Sequence, residues 1–249
     1  NIMIADGTEN TIRGSYVARI YDPESVTLSE DGTEVEDAKK LHKYDGAFYS
    51  RMSMNVSGGA AGTGVLNIYG ENEGLDTELH LTINGGTFDG GLNTIKNDDD
   101  STLVVNGGTF KNYTQAALQN YGTATVAGGE FSAESKYAVD NCGSDAVHDP
   151  GKLTISGGTF HVKTNGGHTT AFTDDSASCK GFKAGGALTV TGGTLTVDSA
   201  DDALHANADV SITGGTLTLA TGDDAVHADN DLVIGTKGAS STSTPRINI

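Results

Sequence analysis

Apolar residues recur along this chain in short alternating runs, and the runs come in threes. After Gly192 the sequence reads Thr194-Leu-Thr-Val197, then Ala203-Leu-His205, then Val210-Ser-Ile212. After Gly214 it repeats as Thr216-Leu-Thr-Leu219, Ala225-Val-His227 and Leu232-Val-Ile234. Alternation with period two puts apolar side chains on one face of a strand and polar ones on the other. The same register recurs upstream, an apolar residue being followed by two more at six and eight positions. It holds for Phe48/Met54/Val56, Leu75/Leu81/Ile83, Leu118/Ala124/Val126, Val147/Leu153/Ile155 and Phe182/Leu188/Val190. Ile95/Leu103/Val105 fits with two residues inserted.

A Gly-Gly corner punctuates each set of three strands. Gly-Gly-Thr starts at Gly85, Gly107, Gly157, Gly192 and Gly214, with variants at Gly58 and Gly128 and a remnant at Gly235. The spacings are 27, 22, 21, 29, 35, 22 and 21 residues, a basic period of 21–22 with insertions. One such unit cannot bury its own apolar face, whereas stacked units at about 4.8 Å share one continuous core. The pattern predicts an all-β chain, a right-handed parallel β-helix of about eight coils, its hand following from the handedness of parallel connections. Coil two opens at Gly58 and coil eight at Gly214. An antiparallel sandwich would need no fixed period. Residues 1–44 do not fit the repeat and read as an N-terminal cap or irregular first turn, 45–236 as the β-helix, and 237–249 as a C-terminal tail.

Composition agrees with a solenoid. Gly supplies 35 of 249 residues and Pro only 3, without the three-residue period of collagen. No apolar run approaches the roughly 20 residues of a membrane helix. The chain begins at Asn1 without a secretion signal, as a processed product or a fragment would. A net charge of −18 disfavours nucleic acid and anionic membranes and favours cations. The two cysteines, Cys142 and Cys179, lack the spacing of a zinc site. A single disulfide between neighbouring coils is compatible with the repeat, although their offsets within it differ.

The period also aligns charged residues. Asp201-Asp202 recurs 22 residues later as Asp223-Asp224. Carboxylates stacked about 5 Å apart repel by roughly 1 kcal/mol in water and by more when drier. Calcium, which takes six to eight oxygen ligands, would relieve that repulsion. Asp145 belongs to the same column in coil five, Glu73 and Asp76 to coil two, and Asp209, Asp229 and Asp231 to the next corner. In coil six the position holds Cys179-Lys180, and a lysine can neutralise the acids without a metal. Asp-Asp as a plain turn former is the simpler alternative. A second column contains His148, His205 and His227, with Lys183 in coil six. These residues suit hydrogen bonds to sugar hydroxyls or carboxylates, metal ligation, or simply solvation. A Thr column runs through Thr87, Thr109, Thr159, Thr194 and Thr216. Its Thr-x-Thr spacing, as in ice-binding faces, is broken by Asp89, Lys111 and His161, so it reads as ordinary strand threonine.

The stretch Cys179–Ile234, with its Asp-Asp-Ala-x-His followed by Gly-Gly-Thr, resembles a family of bacterial secreted β-helix proteins that bind carbohydrate and calcium. Asp45–Gly86 and Asp6–Asn10 are similar to it as well. The resemblance implies calcium at Asp201, Asp202, Asp223 and Asp224, with Glu73 and Asp76 as weaker positions. It also implies a polysaccharide partner of plant-type or acidic character and an extracellular or cell-surface location. Thr87–Phe160 departs from the family pattern. Calcium-dependent polysaccharide binding is therefore the expected function. The alternative is a structural protein stacking head to tail through its coil ends, without nucleic acid or membrane partners. A polysaccharide lyase using Lys183 as base is a third reading.

Overall fold

The computed structural model describes residues 1–14, 22–32, 35–38, 46–69, 73–90, 93–97, 101–112, 114–134, 137–141, 151–170, 178–236 and 244–249. The chain is a parallel β-helix. It visits three long sheets in cyclic order, and each return lays a new strand parallel to the last. Among the described residues the first sheet has nine strands, from Ile2–Met3 through Met54–Ser57 to Leu232–Ile234. The second also has nine, from Glu9–Arg13 to Arg246–Asn248, and the third has eight, from Gly46–Ser50 to Val226–Ala228. A short antiparallel pair, Thr27–Leu28 with Val35–Asp37, stands apart.

Register follows the apolar repeat. Leu81, Leu103, Ala124, Leu153, Leu188 and Val210 are successive partners in the first sheet, all fully buried. In the second sheet Phe88, Phe110, Phe131 and Phe160 stack with centroids 5.3, 4.7 and 4.4 Å apart and planes within 12°. Phe182, from the third sheet, meets Phe160 edge-on at 5.2 Å. The two corner glycines do different work. A Cβ on Gly157 or Gly214 would lie 2.2 Å from a carbonyl oxygen of the preceding coil, and the second glycines, Gly158 and Gly215, sit at φ 93°.

A polar ladder also runs inside. Asn97 pairs with Asn120, and its Nδ2 donates to the Asn120 Oδ1 at 2.7 Å. Both are fully buried, and the backbone of Asn141 continues the column. The Asn97 Nδ2 also donates to the buried Ser101 hydroxyl, so one amide nitrogen serves two buried acceptors.

The segment read as a cap or irregular first turn supplies the strands Ile2–Met3, which pairs with Met54–Ser57, and Glu9–Arg13, which pairs with Val65–Tyr69 of coil two. The tail supplies Arg246–Asn248 against Thr216–Thr218. Leu232, Val233 and Ile234, in the last strand of the first sheet, are about half exposed.

Coil five differs from the sequence reading. Taking Val147/Leu153/Ile155 as its register put Asp145 and His148 into the two polar columns. Instead Val139 pairs with Leu118 and Phe182, and Asp140 with Gln119 and Lys183. The insertion follows the third-sheet strand Tyr137–Asn141 rather than preceding it. Apolar residues at both 139 and 147 offered the repeat two registers, and only pairing with both neighbouring coils selects one. Asp145, His148 and Cys142 lie outside the described residues.

Candidate functional site

The corner between the second and third sheets gathers Asp201, Asp202, Asp223 and Asp224. A column of hydroxyls fixes its backbone: Thr164, Ser199 and Thr221 are successive partners in the second sheet. The Thr164 hydroxyl donates to the Cys179 carbonyl, Ser199 to that of Asp201 at 2.8 Å, and Thr221 to that of Asp224 at 3.1 Å. The Thr221 hydroxyl also lies 2.8 Å from the Asp201 carbonyl, so hydroxyls of two coils meet at that turn carbonyl.

The carboxylates are held as firmly. Asp201 and Asp202 are only 6% and 3% exposed. Lys180, one coil earlier, places its Nζ 2.7 Å from the Asp201 Oδ2 and 3.2 Å from the Asp202 Oδ2. Asp201 also accepts from the Cys179 and Asp202 amides, and Asp202 from the Asp224 amide at 3.0 Å. Burial opposes ionisation of Asp202, yet the bonds from His205, Lys180 and the Asp224 amide outweigh it and hold its carboxyl below the usual range. Burial likewise works against the Lys180 charge, and the two carboxylates overcome it and raise its pKa.

The histidines form the outer layer. His205 and His227 are register partners and stack at 4.5 Å. His205 Nδ1 lies 2.8 Å from the Asp202 Oδ2, and its Nε2 lies 2.8 Å from the Asn207 Oδ1. The next coil repeats this with Asp224 at 3.0 Å and Asp229 at 3.1 Å from His227. Asp-x-x-His-x-Asn/Asp is thus a local clamp in which both ring nitrogens have partners. Lys183 precedes His205 in the column, and Asp140 precedes Lys183.

The bond to Asp224, against opposing burial and helped by Asp229, raises the pKa of His227. Its charged-pair contribution is therefore complete below the unfolded value of about 6.5 and is lost as pH rises through the higher folded value. Asp202 works in the opposite sense: its contribution is present above about 3.9 and is lost as pH falls through the depressed folded value. The corner is expected to be tightest between about pH 4 and 6.5. Amide exchange of Asp223–Asp229 should accelerate from pH 6 to 8.5, after correction for intrinsic rates, and His227→Gln should remove that change. The same pH dependence in both proteins would refute the assignment.

Among the described residues two groups have ligand atoms within 4.8 Å of one another: Asp201/Asp202/Asp223 and Asp202/His205/His227. The first is an all-oxygen set of the kind calcium takes. Its donor chemistry fits calcium at the exposed Asp223 side, while Lys180 already neutralises the inner side. Asp209 and Asp231 stack at a separate corner, the Asp231 amide donating to the Asp209 Oδ1 at 3.2 Å. Glu73 and Asp76 lie elsewhere, five coils from Asp201 or about 24 Å along the axis. Both are buried, Glu73 has the Lys96 Nζ at 3.5 Å, and Asp76 pairs in register with Lys96.

A second polar surface was visible in the sequence only as breaks in the Thr-x-Thr pattern. The second sheet carries an outward column of Asp89, Lys111, Ser132, His161, Thr196 and Thr218, partners on successive strands. Two positions on, Glu134, Lys163 and Asp198 form a parallel row. A groove of about 440 Å³ lies over Ser132, Glu134, His161, Lys163 and Thr196. At its end Lys163 stands 3.9 Å from Asp198, whose Oδ1 lies 2.7 Å from the His168 Nδ1 and accepts from the His168 amide at 2.8 Å. Those His168 and Lys163 contacts override the effect of burial and lower the pKa of Asp198.

A family model described as carbohydrate-binding domain-containing protein matches residues 1–225. No curated protein and no solved structure matches the chain.

Proposed function

We propose, for a chain that belongs to the family of carbohydrate-binding domain-containing proteins, a non-catalytic polysaccharide-binding role outside the cell or at its surface. One observation carries this reading: the outward column of the second sheet offers a hydrogen-bonding side chain on each of six successive coils, from Asp89 to Thr218. Coils repeat at about 4.8 Å, so an extended polymer lying along the axis meets a fresh donor or acceptor at every coil. A single sugar would use only a fraction of such a surface. The regular backbone beneath, held by the phenylalanine stack and the asparagine ladder, keeps these side chains pre-organised and reduces the ordering cost of binding.

In this reading calcium is an accessory at the acid corner, held by Asp223 and Asp224 on the solvent side with Asp201 and Asp202 behind them. It would supply charge neutralisation and tie coil seven to coil eight. Affinity electrophoresis on soluble neutral and pectic polymers, with calcium and with chelator, tests both parts. Retardation on at least one polymer is expected, and no retardation on any would overturn the binding role. Calcium is expected to raise the melting temperature of the wild type but not of Asp223→Asn with Asp224→Asn. An equal rise in both proteins would remove calcium from this corner.

A further inference from the structure

The groove over Glu130–Glu134, Thr159–Thr164 and Thr194–Ser199 differs from the rest of the second sheet. Toward the Gly-Gly corner the outward row is mainly threonine, through Thr87, Thr109, Thr159, Thr194 and Thr216. Here three successive strands bring Ser132, His161 and Thr196 into one row and Glu134, Lys163 and Asp198 into the next. Residues two apart on a strand are separated by about 6.6 Å, and strands by about 4.8 Å. Glu134, His161, Lys163 and Thr196 are exposed, so the grid faces solvent. The groove is open along the helix axis, with Lys111 on one side and Thr218 on the other continuing the first row.

Two features select the chemistry of the occupant. Among the described residues no phenylalanine, tyrosine or tryptophan lines the groove, so a sugar face has no broad ring to stack on, and recognition falls to hydroxyls bonded edge-on. The charges are mixed, with an acidic excess. Glu134 and Asp198 flank Lys163 in register, and the ammonium of Lys163 is already shared with Asp198. The net charge of the chain is −18. A polyuronate would bring further carboxylates into this field, whereas a neutral chain brings diols that accept from an ammonium or imidazole and donate to a carboxylate.

We propose that this groove binds a neutral polysaccharide chain running along the helix axis, with Glu134, His161, Lys163 and Thr196 bonded to its hydroxyls. The proposal rests on the carbohydrate-binding reading and adds its location and ligand class. Titration calorimetry with neutral cello-oligosaccharides and xylo-oligosaccharides and with oligogalacturonate, on the full chain, tests it. His161→Ala with Lys163→Ala is expected to lower affinity for the neutral oligomer by about tenfold or more, these being bonds to charged or polar groups. Lys152→Ala, an exposed residue of the first sheet, should bind as the wild type does. Unchanged melting temperatures for both variants keep the comparison free of folding effects. A double variant that binds like the wild type would overturn the location while leaving the broader reading intact. Tighter binding of oligogalacturonate than of either neutral oligomer would overturn the ligand class. A wild type that binds none of these, nor any polymer by electrophoresis, would sink both.

Discussion

Lys180→Met should lower the melting temperature by about 6–12 °C in chelator, and millimolar calcium should recover much of the loss. Lys180 is the cation between Asp201 and Asp202, at 2.7 and 3.2 Å, with side chains only 13%, 8% and 4% exposed. Removing one partner of a buried ion pair typically costs about 3 kcal/mol, because the remaining charge keeps its desolvation penalty without its counter-charge. For a chain of this length each kcal/mol corresponds to about 2–4 °C. Two carboxylates without Lys180 beside them also form a better calcium site, so the variant should respond to calcium more steeply than the wild type. Thermal melts across a calcium series decide the matter. A chelator-phase melt unchanged by the substitution would mean that the corner acids are held by backbone amides alone.

Phe131→Ala should be comparably destabilising, by about 3–5 kcal/mol, for a different reason. Phe131 is fully buried, with Phe110 at 4.7 Å and Phe160 at 4.4 Å. Its loss opens a cavity and removes two stacked contacts, each contributing about 0.5–1.5 kcal/mol beyond area burial. In a solenoid each coil touches only its neighbours, so the damage should be local. Hydrogen exchange should accelerate in the strands around Phe110, Phe131 and Phe160 and spare Val226–Ile234. Exchange raised evenly along the chain would contradict this nearest-neighbour picture. Calcium should not rescue this variant, which separates the core effect from the corner effect.

These two residues differ in how far the sequence revealed them. Phe131 follows Gly-Gly-Glu at the same offset as Phe88, Phe110 and Phe160 follow Gly-Gly-Thr, so its burial and stacking are written in the repeat. Lys180 appeared as a break in the acid column and as a way to neutralise it without metal. That it reaches both carboxylates depends on where coil six crosses coil seven. The His column was legible at Lys183, His205 and His227, but its coil-five member is the backbone position of Asp140. His161 and Lys163 were harder to see, since a residue that interrupts a pattern looks like noise until its neighbours in space are known.

The period of 21–22 residues, the alternation within it and the paired glycines determined by themselves that this chain stacks as a parallel β-helix with an aliphatic and aromatic interior. The reason is that these signals are local and repeated: each coil states the same face and corner, and no other arrangement buries them all. The tertiary structure alone decided which of two apolar residues registers coil five, that Glu73 and Asp76 are buried near Lys96 far from the Asp201 corner, and that the open groove lies on the second sheet. Those outcomes depend on insertions and on contacts between coils. A side chain's exposure is set by what neighbouring segments cover, and the spacing of residues along one strand carries no record of it.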